Sequence, residues 1–450
     1  MIKYEDLEIV NGNIHKTFFK FTLHNVVGFV AMSSVALVDG YFVSHYVNSV
    51  ALAAVNIIIP LITVIYGIAI MLTIGAAVLI GTYLGQSKYQ QASSVFTKVI
   101  ITISAISFFF TVICYVFSEQ VAIMLHANDE IMVYAVPYLE MISLFFFFQA
   151  MEYALSVITR TDGNPYLASF AVIFGAILNL ILDYIFVVHM DMGISGAALG
   201  TGLSFVSSTI ILLFHFILKK GNLYLTKILD KWNEMILAAY NGSSELLSEA
   251  SVAIIAYLFN KIMVTELGTY GVEAFTVINY SLWLTNMLCY AIGDSLVPLL
   301  SINYGAKKYN RIQKILSLSR INVIGIGLIM FLLFAFIPET VIGYLLNSTQ
   351  NPESFALALE FASYIKYTFL FIGLNIIFSS AFTAFQLPLH SVTVGLSRGL
   401  ILPVIFIFTL PLFMGNTGLY VAVPLAEFST IIFGYILWRK TKIINNVMGR

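Results

Sequence analysis

The sequence predicts an all-α, polytopic membrane protein, with twelve transmembrane helices arranged as two pseudo-symmetric six-helix bundles. Three observations carry this. Hydrophobic residues make up 60% of the 450-residue chain and charged residues only 10%, against roughly 25% charge in soluble domains, so no water-soluble surface can be built from it. A bilayer core about 30 Å thick needs roughly 20 apolar residues per helix, and runs of that length recur about twelve times. The basic residues fall on one side of those runs.

In chain order the expected spans lie at about 17–43, 50–80, 95–117, 131–157, 165–189 and 195–218, then at about 246–268, 272–302, 317–337, 360–385, 391–413 and 416–438. Several are long enough to tilt. With both termini cytoplasmic, the inner segments hold every one of the 22 Lys and Arg residues except Lys261 and Lys366. Those two lie inside spans toward their outer ends, where a long stem snorkels to the interface or pairs with an acid. The outer loops carry Glu119, Asp129, Glu130, Asp191, Glu339 and Glu353, with no Lys or Arg. An odd number of helices would scramble this pattern. From Met1 to Lys16 the chain is polar and mixed in charge and lacks the layout of a cleavable signal, so the first helix is expected to stay. The expected location is the plasma (inner) membrane.

The two halves repeat. Gly81-Thr-Tyr-Leu-Gly85-Gln-Ser-Lys88 returns as Ser301-Ile-Asn-Tyr-Gly305-Ala-Lys-Lys308, at an offset of 220 residues. Met192-Gly-Ile-Ser-Gly196-Ala matches Met414-Gly-Asn-Thr-Gly418-Leu at 222, and Pro165 matches Pro388 at 223. Six helices per half is an even number, so both halves face the same way, related by an axis along the membrane normal. The expected division is an amino-terminal bundle at 1–221, a basic connecting loop at 222–232, and a carboxy-terminal bundle at 233–450.

A net charge of -1 argues against nucleic acid, which calls for a basic surface. Cys114 and Cys289 fall in apolar runs and read as small core residues. Neither metal-ligand spacing nor a Gly-x-Ser-x-Gly nucleophile motif is evident, and His45, His126 and His189 are expected at the outer surface, so no enzyme and no cofactor are expected.

Intramembrane charges are costly, at least about 2.5 kcal/mol each at mid-bilayer, and mark functional candidates. Asp183 follows Asn179 by four residues, which puts both on one face of the fifth helix. Thr201 adds a hydroxyl on a sixth helix whose glycines and alanines permit close packing. With Asp39 of the first helix these form an oxygen-rich set able to hold a sodium ion or to share a proton; the competing reading is a hydrogen-bond network that fixes helix register. Glu245 and Glu249 follow Asn241-Gly-Ser-Ser244, where helix capping and solvation explain them. Glu152 is expected to pair with Arg160. Further transport candidates are Glu140, Asp294, Glu427, Arg398 and Asn260, the last being the repeat counterpart of Asp39. Abundant aromatic residues serve packing and interface belts by default, and a subset lining a cavity would suit flat lipophilic cations.

These residues resemble a known family. Val38-Asp39-Gly40, Gly85 with its basic turn, Gly163-Asn-Pro165, Asn179-Leu-Ile-Leu-Asp183-Tyr, and Met192-Gly-Ile-Ser-Gly-Ala-Ala-Leu-Gly-Thr201 are similar to motifs of the MATE, or multidrug and toxic compound extrusion, transporters. The likeness covers essentially the whole chain. It implies two bundles flanking a central cleft that opens alternately inward and outward. It also implies efflux of small, lipophilic, mostly cationic drugs or toxins in exchange for protons or sodium ions, by a protein expected to be a monomer in the lipid bilayer. The cation site it implies comprises Asp39, Asn179, Asp183 and Thr201, together with the backbone carbonyl of Ala197. The tenth span, at about 361–385, carries no acid where some members have one, so a second sodium site is not expected. A flippase of lipid-linked saccharide is the alternative within transport; such proteins want basic residues to meet phosphate, whereas the intramembrane charges here are mostly acidic.

Overall fold

The computed structural model describes residues 8–346 and 351–441, the side chains of Ala36 and Ala253 excepted. Lys3, Lys442 and Arg450, three of the basic residues used above for topology, lie outside the described residues. The chain is helical, with no strand among the described residues. The amino-terminal half contains α1 (Ile14–Val47), α2 (Ser49–Gly85), α3 (Tyr89–Val116), α4 (Asp129–Ser143 and Phe146–Thr161, bent by 51°), α5 (Pro165–His189) and α6 (Gly193–Ile217). A continuous run, Asn233–Gly305, follows. Gly268 breaks it with φ 64° and ψ -155°, a conformation closed to residues with a Cβ, so it counts as α7 (233–267) and α8 (269–305). The rest are α9 (Tyr309–Phe336), α10 (Pro352–Ala384), α11 (Pro388–Met414) and α12 (Asn416–Lys440). Large apolar side chains such as Phe108, Val133, Ile236 and Tyr257 stand exposed along these helices. A helix that is apolar all round, outward face included, is at home only in lipid.

Asparagine starts several of the spans. The Oδ1 atoms of Asn13, Asn48, Asn128 and Asn164 accept hydrogen bonds from the backbone N–H of Lys16, Ala51, Ile131 and Leu167 at 2.7–3.2 Å, satisfying a donor that has no partner inside the helix. Pro165 then fills the first position of α5, where no N–H is needed. Asn48 does double duty, its Nδ2 donating to the Tyr134 hydroxyl at 2.7 Å.

The chain divides into two compact units, Met1–Gly242 with Ser301–Lys307, and Ser243–Leu300 with Lys308–Arg450. Glycine explains why the first unit reaches past the connecting loop. A Cβ on Gly85 would overlap the Ile302 carbonyl, and one on Gly305 would overlap the Thr82 carbonyl, so the repeated landmark is a reciprocal crossing of α2 and α8. Likewise Gly75 faces the Ala238 carbonyl and Gly242 faces that of Met71. The loop itself is clamped: the buried Lys98 ammonium donates to the Asp230 and Lys231 carbonyls and pairs with Glu234 at 2.5 Å. Asp162 accepts from the Asn222 N–H at 2.8 Å and lies 2.9 Å from His215 Nε2.

One expectation changes here. The seventh span starts at Asn233 instead of near 246, and Asn241–Ser244 lies inside the helix, so it caps nothing. Gly242 looks like a turn residue in sequence but serves a close helix crossing.

Candidate functional site

Asp39, Asn179, Asp183 and Thr201 meet in the amino-terminal unit. Asn179 and Asp183 are fully buried and Thr201 nearly so, while Asp39 is half-buried. The Thr201 hydroxyl is central. It donates to Asp39 Oδ2 at 2.8 Å or to the Ala197 carbonyl at 3.0 Å, and accepts from Asn179 Nδ2 at 3.3 Å. That same Nδ2 lies 3.5 Å from Asp183 Oδ1. The Asp39 carboxyl is within hydrogen-bonding reach of that of Asp183.

Three buried oxygens in this cluster, Asp39 Oδ1, Asn179 Oδ1 and Asp183 Oδ2, have no hydrogen-bond partner. All three are acceptors. Burying an unpaired acceptor costs about 1–3 kcal/mol, more when it is charged; a shared proton would relieve two of these oxygens, and a small hard cation would give all three a positive charge to face. No group of three or more His, Cys, Asp and Glu suited to a metal occurs among the described residues.

Local backbone places these groups. Asp39 lies just ahead of a π-helical turn, Val43–Val47, and Asp183 immediately precedes another, Tyr184–His189. Such widened turns shift helix register and recur at functional sites. Gly200 is the neighbour the sequence reading passed over: a Cβ there would overlap Asp183 Oδ1. Tyr138 on α4, also unanticipated, has its phenol close enough to feel the charge of both Asp39 and Asp183. No local pattern signals Tyr138, since only tertiary packing brings α4 to this site.

The carboxy-terminal unit holds a second polar cluster, of opposite character. Arg398, within the π-helical turn Ser397–Ile401 of α11, donates to Glu427 Oε1 through Nε at 3.1 Å and Nη2 at 2.9 Å. Its Nη2 also reaches Asn286 Oδ1 at 2.7 Å, and Nη1 the Tyr290 hydroxyl at 3.4 Å. Asn375 Nδ2 closes the far side, donating to Glu427 Oε2 at 2.6 Å and to the Glu427 carbonyl at 2.8 Å. Arg398 and Glu427, read separately from sequence, are thus one ion pair, while Asn375, Asn286 and Tyr290 were missed.

The other candidates are scattered. Glu140 accepts from Ser118 at 2.8 Å and ties down the short helix Ser118–Met124. Asn260 is exposed. Asp294 stands beside Glu245, which also feels Glu249. Buried Glu152 lines an open cavity of about 330 Å³ with Asn25, Ser156, Arg160 and Ser169, and feels the charge of Arg160.

Twelve apolar helices in two repeated halves, each with a buried polar cluster, define a membrane transporter. The MatE family model matches residues 26–185 and 246–413, two segments that begin 220 residues apart, as the repeat requires. The chain belongs to the MatE family, the multidrug and toxic compound extrusion transporters. It is 22% identical over 443 residues to the multidrug export protein MepA of Staphylococcus aureus strain N315, covering 94% of each chain. Among solved structures it matches a MATE crystallised in complex with MaD3S, with TM-score 0.90 over 99% of both chains at 19% identity. It equally matches a MOP superfamily transporter from Pyrococcus furiosus, with TM-score 0.88 over 98% of both chains and 19% identity. That protein is described as having a binding pocket of reverse polarity that suggests a different function.

Proposed function

We propose that this chain is a secondary active antiporter of the plasma membrane, with both termini cytoplasmic. It works as a monomer and exports lipophilic, mostly cationic drugs in exchange for protons or sodium ions. Asp39, Asn179, Asp183 and Thr201 load the coupling ion. The observation that carries the reading is the trio of buried, partnerless oxygens in that cluster. The names of the export proteins that resemble the chain over nearly its full length point the same way.

The mechanism follows from which groups lack a partner. A cation arriving between Asp39 and Asp183 offsets their mutual repulsion and gives Asn179 Oδ1 a positive charge to face. Loading therefore draws α1, α5 and α6 together at the two widened turns. An ion moves a conformational equilibrium only as far as its affinities for the two states differ, so a site that is complete in one packing of α1 and open in the other couples ion to cargo. The flippase reading wants an unneutralised base to meet phosphate in the transport path; Arg398, the base of the carboxy-terminal polar cluster, is already held by Glu427.

Dye efflux from vesicles, with the proton and sodium gradients imposed one at a time, tests this reading. Efflux that follows one gradient identifies the ion. Efflux indifferent to both would overturn antiport.

A further inference from the structure

Each half carries a basic side chain about three turns into its third helix, Lys98 on α3 and Arg320 on α9, and the two fare differently. Lys98 on α3 is fully buried and neutralised by Glu234. Arg320 on α9 has no ion pair and no hydrogen bond among the described residues; its recorded partner is the face of the Trp438 ring, 5.9 Å away. A ring face meets the flat side of a guanidinium and leaves its in-plane N–H donors unused.

Those donors border a cavity of about 220 Å³, whose other walls are Leu374, Ile377, Phe378 and Trp438. Its depth follows from Trp438, which lies next to Arg439 and Lys440 at the end of α12 and packs on Phe378, Phe382 and Phe385 at the end of α10. Tryptophan and paired cations at a helix end mark the boundary between hydrocarbon and headgroups. Arg320 starts deeper along α9 and carries its charge up to that boundary. The surroundings are basic: Arg311 and Lys314 stand on the first turns of α9, which contains no Asp or Glu. Glu427, the only acid of α12, is engaged by Arg398.

We propose that this cavity binds the phosphodiester of an anionic glycerophospholipid, with the Arg320 guanidinium on the phosphate and an acyl chain along Leu374 and Ile377. The planar N–H fork suits phosphate oxygens, and basic pockets between membrane helices are where anionic headgroups settle. Neighbouring cations repel the choline of a zwitterionic lipid and favour an uncharged terminus such as glycerol.

The test is native mass spectrometry of the detergent-purified full chain offered equal phosphatidylglycerol and phosphatidylcholine with identical acyl chains. Wild type should retain phosphatidylglycerol about five- to tenfold over phosphatidylcholine. R320Q should bring the ratio close to one, while R320K keeps part of the preference. An unchanged ratio in R320Q overturns the proposal. Millimolar inorganic phosphate added to wild type should leave the bound lipid in place; displacement would make this a soluble-phosphate site and overturn the lipid assignment. Where R320Q does not elute as a single folded species, a photoactivatable phosphatidylglycerol on wild type decides. Labelling of the 374–378 segment supports the proposal, and labelling confined to other helices contradicts it.

Discussion

The two buried polar clusters are built from nearly the same kinds of residue and solve opposite problems. Around Asp39 and Asp183 there are two acids, no base, and three oxygens without donors. Around Glu427 the acid is met on one side by Arg398 and on the other by Asn375, with one amide oxygen, Asn375 Oδ1, left over. A carboxylate that already holds an internal cation gains little from an external one. On the proposed reading, ion exchange belongs to the amino-terminal unit and the Arg398–Glu427 pair acts as a fixed strut.

The largest expected effect is that of Asp39→Asn, which removes one of the two charges the ion answers to. Dye efflux should fall to the level of vesicles without the protein, at unchanged membrane expression; efflux at wild-type rate would take Asp39 out of the mechanism. On the other side of the comparison, Arg398→Met strands a buried carboxylate, and losing one partner of such a pair costs about 3–5 kcal/mol. Thermal melting should show that loss, and a double variant, Arg398→Met with Glu427→Leu, should recover most of it while efflux remains gradient-driven. If the double variant were stable but uncoupled, the strut would have to be counted as part of the ion path.

Gly200→Ala sharpens the contrast within the amino-terminal unit. The added methyl displaces Asp183 Oδ1, so ion affinity should weaken by about tenfold, as when groups that orient metal ligands are altered. A competition curve with the coupling ion reads it. Smaller still, Asn48→Ala removes a helix cap and the bond to Tyr134, which should lower stability by about 1 kcal/mol with ion dependence unmoved. Asn260→Ala, at an exposed position, should change neither melting nor efflux.

What was legible in the sequence follows from range. Asn179 and Asp183 are one turn apart, so their shared face needs only helix geometry, and the 220-residue repeat of Gly85 and Gly305 needs only counting. The approach of Asp39 to that face is a long-range contact, which the rarity of intramembrane acids and the family resemblance both pointed to but no local pattern fixes. Asn375, Asn286 and Tyr290 stayed hidden because a lone polar residue in an apolar helix says nothing about which neighbour it will meet. The bend of α4 falls at Leu144 and Phe145, where no proline or glycine announces it. The π-helical turns beside Asp39, Asp183 and Arg398 likewise carry no sequence signature. Gly242 misled for the opposite reason: a residue common in turns was used for a helix crossing.

The claim that the amino-terminal acids carry the ion is tested most directly by counting ions displaced when a lipophilic cation binds the purified protein, with proton and sodium electrodes. Wild type should release one species, Asp39→Asn should release none, and Glu427→Gln should release as much as wild type. Undiminished release from Asp39→Asn, or its loss in Glu427→Gln alone, would contradict the assignment.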